Sequence, residues 1–237
     1  MNMYARKQQI ADAFMRLVVQ TPIARRVTVA DVARDLQIDR KTFYKYFENT
    51  DDLSHWIYRD YLKTMLEAPE FARCTLVKPD PSLFDTYADW PFYVRIEGED
   101  HELAQARFYK TMAYHFVGNR AYYSKVFQPA SPLCVYDYII RLFMPAIKDD
   151  VMYLLDGREM PEVAVNFLAE YHVMGIFGRL RYHFTRSGWS IMQEEIEPFW
   201  NYSHIMLKHT VDSLFEQREA PRLLRGMGFN PKGKWVY

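Results

Sequence analysis

The stretch VTVADVARDLQIDRKTFYKYF, from Val27 to Phe47, leaves its backbone little freedom. Val29, Val32, Ala33 and Leu36 recur at i, i+3, i+4 and i+7, the spacing of one helix face. Thr28 stands before them as an N-cap. Asp39 is a second N-cap candidate only three residues after Leu36, so a new helix begins there and runs from Arg40 to about Phe47. Upstream, Ile10, Phe14, Leu17 and Val18 mark an amphipathic helix, which Pro22 interrupts. Phe43 and Phe47 share a face and close a three-helix core. Two short helices joined by so tight a turn make a helix-turn-helix, whose second helix ordinarily enters the major groove of DNA.

The charges point the same way. The chain has 30 basic and 30 acidic residues, a formal balance of zero. Between Arg25 and Lys45, however, Arg25, Arg26, Arg34, Arg40, Lys41 and Lys45 face only Asp31, Asp35 and Asp39. Such local asymmetry is the footprint of a polyanion-binding face. The DNA-facing candidates are Thr28, Arg40, Lys41, Thr42, Tyr44, Lys45 and Tyr46. Arg40 and Lys41, at the helix start, are placed nearest base edges, and Thr28 and Lys45 on phosphates. Arg25 and Arg26 read equally well as a solvated loop.

VTVADVARDLQIDRKTFYKYFENTDDL resembles the DNA-binding domain of TetR-type transcriptional regulators. The likeness spans roughly Gln8 to Leu62. It rests on the hydroxyl before the second helix, the alanine within it, the threonine–aromatic–tyrosine recognition helix, and the short link to a leucine-bearing fourth helix. Two positions depart from the family pattern. Gln37 stands in the turn where glycine is usual. Thr50, a residue able to cap the fourth helix, stands where lysine often meets a phosphate. The resemblance implies an all-α fold: a three-helix head joined to a larger ligand-binding and dimerisation domain. It also implies that Tyr44 contacts a phosphate, that the last two long helices pair with those of a second copy, and that the middle of the chain holds a small-molecule pocket.

The rest of the chain divides accordingly. Residues 1–50 form the head, a helix over 51–67 links it to the remainder, 68–215 form the larger domain, and 216–237 are a basic, flexible tail. VKPDPSLFDTYADWPFY is a proline-punctuated connection, and helices are expected at about 101–117, after Gly118–Asn119, and over 133–155, kinked by Pro145. Pocket candidates are Met112, His115, Phe116, Tyr136, Phe143, Met144 and Met152. Each of these taken singly fits plain core as well. The stretch Val163–Phe184 is apolar nearly all round, so one side is expected on its own subunit and the other on a partner. Phe167, Tyr171, Met174, Gly175, Gly178, Tyr202 and Met206 are the interface candidates, and Ile176 and Phe177 are positions where glutamate would dissociate or unfold the pair. Ser190 with Gln193 is a capping box for the final helix.

Other chemistries find little support. There is no glycine-rich phosphate loop, no H-E-x-x-H, and no nucleophile elbow, and the seven histidines include no i, i+4 pair. No enzyme activity, cofactor or metal is expected. Cys74 and Cys134 lie far apart, which suits a reducing compartment. With no signal-like start and no long apolar run, a cytoplasmic chain without a membrane partner is expected. Two functions from different classes remain. One is a dimeric regulator, expected to be a repressor, that binds double-stranded operator DNA and is released by a small apolar or aromatic effector. The other is a coactivator or protein-interaction adaptor that keeps the fold without binding DNA, a reading favoured by Gln37, Thr50 and the zero net charge.

Overall fold

Each helix of the amino-terminal head begins on a side-chain cap. In a computed structural model, which describes residues 2–186, 205–213, 229–230 and 234–235, Asn2 caps α1 (Met3–Gln20) and Thr28 caps α2 (Val29–Asp35). Asp39 caps α3 (Arg40–Tyr44), and Asn49 caps α4 (Thr50–Leu66). At α2 the cap is reciprocal. The Asp31 amide donates to the Thr28 hydroxyl at 3.2 Å, and the Thr28 amide donates to the Asp31 carboxylate at 2.9 Å. Thr50, expected to be able to cap α4, is instead buried as its first residue. The Asn49 side-chain Oδ1 accepts from the amides of Asp51 and Asp52, because a cap must sit outside the helix with extended backbone.

The turn between α2 and α3 is a Schellman motif. Ile38 donates to the Ala33 carbonyl at 2.9 Å and Gln37 to Arg34 at 3.2 Å. The motif needs a left-handed residue, and Gln37 supplies it at φ 53°. A side chain there costs on the order of 1 kcal/mol relative to glycine.

Ile10, Phe14, Val32, Phe43 and Phe47 fill the head. Trp56 of α4 closes it, with its ring 5.5 Å from that of Phe47. The same helix then turns its other residues to the body. Arg59, fully buried, donates to Asp85 at 3.2 Å and to the Tyr138 hydroxyl at 3.1 Å, and its second terminal nitrogen reaches the carbonyls of Tyr87 and Trp90. The head and body cores form one continuous apolar cluster.

The expected proline-punctuated connection carries an element that the sequence reading did not anticipate. Strands β1 (Thr75–Val77) and β2 (Tyr93–Arg95) pair antiparallel, Leu76 opposite Val94. The body continues with α5 (Ala106–Gly118), α6 (Arg120–Val126), α7 (Val135–Leu155) and α8 (Glu162–Thr185). A further helix, α9, spans 205–213, and a second short ribbon joins β3 (Phe229–Asn230) to β4 (Lys234–Trp235). Pro145 lies within α7, as expected. The class is all-α, with the ribbons as minor additions. The predicted capping box at Ser190 and Gln193 lies outside the described residues, as does most of the 216–237 tail.

The helices of the body meet through rings. Phe143 of α7 lies 4.8 Å from Phe177 of α8, and Phe116 of α5 lies 4.7 Å from Tyr123 of α6. One polar cluster is enclosed among them. Asp150 accepts from Tyr93 at 2.5 Å and from Arg95 at 2.9 Å. Burial pushes its carboxyl up to about 6, against the pull of those two donors.

Candidate nucleic-acid interface

Helix α3 ends at Tyr44, short of the expected Phe47, with Phe43 on its buried side and Phe47 buried just beyond it. Phe43 is wholly buried, and Tyr44, beside it, is 56% exposed with its ring edge-on to Phe43 at 5.8 Å. Arg40, Lys41 and Lys45 are exposed, and Thr42 and Tyr46 are half-buried. Thr28 is exposed, but its hydroxyl already donates to Asp31 at 2.8 Å, so it serves first as a cap.

The six cations counted from the sequence separate into two sets. Arg25 lies 3.5 Å from Asp31 and Arg34 lies 3.3 Å from it; Arg26 pairs with Asp51. Arg16 of α1 adds a pair with Asp35 at 2.5 Å. These four are committed within the head. Arg40, Lys41 and Lys45 have no ion-pair or hydrogen-bond partner among the described residues. The basic excess is therefore concentrated on α3. Apart from the i, i+3 pair Asp31–Arg34, these pairs join separate segments of the head, contacts that the sequence does not show.

The acidic residues nearby are held in place. The Thr42 side chain and then its amide lower the Asp39 carboxyl below the usual carboxylate range. Asp31 is lowered mainly by the Thr28 amide, then by its hydroxyl. At α4 the first turn carries Asp51 and Asp52, which sit well against the helix dipole but would repel a phosphate.

The interface candidates on α8 sort by face. Phe167 (48% exposed), Tyr171 (74%) and Met174 (44%) are exposed, as is Gly175, with Gly178 half-buried beside them. A β-carbon at either glycine would meet nothing within 4 Å. Ile176 and Phe177, where glutamate is expected to dissociate or unfold the pair, are buried, with Phe177 against Phe143 of α7. The helix is apolar all round, but its period assigns these two inward. Met206 is exposed on α9; Tyr202 lies outside the described residues.

The seven pocket candidates are not brought together around a described opening. Met112 accepts the Tyr58 hydroxyl at 3.5 Å, Phe116 and Phe143 are wholly buried among rings, and Tyr136 lies under the Arg181 guanidinium at 4.4 Å. His115 stacks on Tyr61 at 3.8 Å and shares a 2.7 Å hydrogen bond with Tyr123; burial pushes its imidazole down to about 3. Met144 packs against the core edge, and Met152 is exposed. A cleft of about 470 Å³ does open elsewhere, between Gly98–Ala104, Leu154 and the α9 residues Ile205, Lys208, His209 and Asp212. Among the described residues no group of three or more His, Cys, Asp or Glu is placed to hold a metal ion, and no helix is long and apolar enough to cross a membrane.

No family model matches the chain, and no curated protein does. Among solved structures, one described as the dihydroxyacetone kinase operon activator DhaS is similar to it. The two are 16% identical, with a TM-score of 0.47 over 87% of this chain and 96% of that one.

Proposed function

We propose that the chain is a DNA-binding transcriptional regulator that works as a homodimer. The observation that carries this reading is the separation of charges in the head. Four arginines are spent on ion pairs, while Arg40, Lys41 and Lys45 stand exposed and unpaired beside the phenol of Tyr44. Unpaired cations on the second helix of a helix-turn-helix suit a phosphate wall and base edges. A second copy would bring a second head, and half-sites about one helical turn apart would then be read together. The exposed face of α8, Phe167, Tyr171 and Met174 beside two open glycines, suits a partner helix.

A small-molecule effector belongs to the same proposal. The cleft beside α9 is of a size that such ligands occupy. An effector that stabilised one spacing of the heads would change DNA affinity by about 1–3 kcal/mol, and DNA would change effector affinity equally. The expected direction is release, as in a repressor.

The adaptor reading rests on one feature of its own. The start of α4 offers a phosphate two carboxylates, Asp51 and Asp52, and a buried Thr50. Fluorescence anisotropy with duplex DNA from upstream of the chain's own gene, at 50 and 200 mM salt, separates the two. Binding that weakens steeply with salt supports the regulator. No binding at the lower salt overturns it in favour of the adaptor.

A further inference from the structure

Gln37 is strained and idle within its own chain. Among the described residues three other non-glycine ones share its left-handed backbone: Phe84, His101 and Asp156. His101 is compensated, with its ring stacked on Tyr153 at 4.1 Å and a 2.7 Å bond to the Tyr153 carbonyl. Asp156 ends α7, and aspartate is among the residues that tolerate this conformation. Phe84 is an exposed loop tip. Gln37 sits within the helix-turn-helix, exposed, with no hydrogen bond to its side-chain amide among the described residues. Its backbone already does what the turn requires, and glycine would do that without strain.

The side chain therefore has to be explained by something outside the chain, and its position says what. Gln37 lies three residues before Arg40, so their α-carbons are at most about 11 Å apart. Both are exposed where the turn runs into the recognition helix. A primary amide presents a donor and an acceptor side by side. That pair matches the N6–H and N7 of adenine in the major groove. Being neutral, it displaces no counterion, so it adds little to non-specific attraction.

We propose that Gln37 is a specificity-determining residue that reads an adenine edge within about three base pairs of the position addressed by Arg40. This rests on the DNA-binding reading above. The amide grips N6–H and N7 in two hydrogen bonds.

Selection from a pool of randomised duplexes tests it, using the full chain, Gln37→Gly and Lys45→Ala. The wild type is expected to enrich a two-fold symmetric motif with one adenine per half-site close to the Arg40 position. Gln37→Gly is expected to enrich the same motif with that adenine replaced by any base. Its thermal midpoint should equal or exceed the wild type's, since glycine suits the turn, so the loss is not unfolding. The salt slope of Gln37→Gly should match the wild type, whereas that of Lys45→Ala should fall. An unchanged motif in Gln37→Gly overturns the proposal. So does uniform weakening on all sequences, which would make Gln37 a phosphate contact. A wild type that enriches nothing while remaining folded overturns the DNA-binding reading itself, a result distinct from either.

Discussion

The exposed sides of α3 and α8 are both surfaces without a mate among the described residues, but their chemistry is opposite. On α3 three cations and a phenol stand free over a buried phenylalanine. On α8 two aromatic rings and a methionine stand free beside glycines. Each helix buries its other side within the chain. The difference teaches what each lacks. A cationic surface gains by displacing counterions from a polyanion, and salt opposes it. An apolar surface gains by leaving water, and moderate salt hardly touches it.

Salt is thus the strongest way to break the comparison. Raising it from 50 to 200 mM should reduce DNA affinity about 10³-fold if two heads together engage about six phosphates. Dimer dissociation, followed by analytical ultracentrifugation, should stay within about 2-fold over the same range. Equal sensitivity of both would mean that the two surfaces are not separate.

The next largest effect is on α8. Phe167→Glu with Tyr171→Glu should raise the dimer dissociation constant at least about 100-fold while leaving the helical circular dichroism intact. Phe177→Glu should instead unfold the chain, because it places a charge against Phe143 with no partner. If both variants dissociate without unfolding, the assignment of the two faces is wrong.

On α3, Arg40→Ala should cost about 1–3 kcal/mol on the specific site and little on scrambled DNA, measured by anisotropy. Equal loss on both would make it a phosphate contact. The last effect belongs to the body alone. The Asp150 carboxyl holds its proton more tightly folded than unfolded, with a folded value of about 6. Its contribution to stability is therefore greatest below about pH 4 and declines as the pH rises through 6, by about 3 kcal/mol at most. Thermal melts of wild type and Asp150→Asn over pH 4–7 isolate it; a difference independent of pH would refute the buried, raised carboxyl.

Which parts were legible in the sequence follows from the range of the forces involved. Thr28 and Asp39 announced their helices because a cap acts on amides two or three residues away. The all-round apolar α8 announced two faces, but Ile176 and Phe177 needed the position of α7 before they could be assigned. Met112, Phe116 and Phe143 are buried, and composition does not separate core from pocket lining, since the same residue types serve both. The ribbon of Thr75–Val77 and Tyr93–Arg95 is three residues to a strand, too short for alternation to register. The separation of free from paired cations depends on contacts between residues as far apart as Arg26 and Asp51, and the sequence shows only their sum.

One helix, α4, lends Trp56 to the first core and Arg59 to the second. Heat or denaturant therefore has no seam along which to part them. Removing α4 would strip Phe47 of its cover, and removing the head would leave Trp56 bare in water. The expectation is a single calorimetric transition for the whole chain, with a van 't Hoff enthalpy matching the measured heat. A fragment ending at residue 50 should not hold its shape. An encounter that displaces α4 at one end then has to be felt at the other, because the two ends melt and form as one unit.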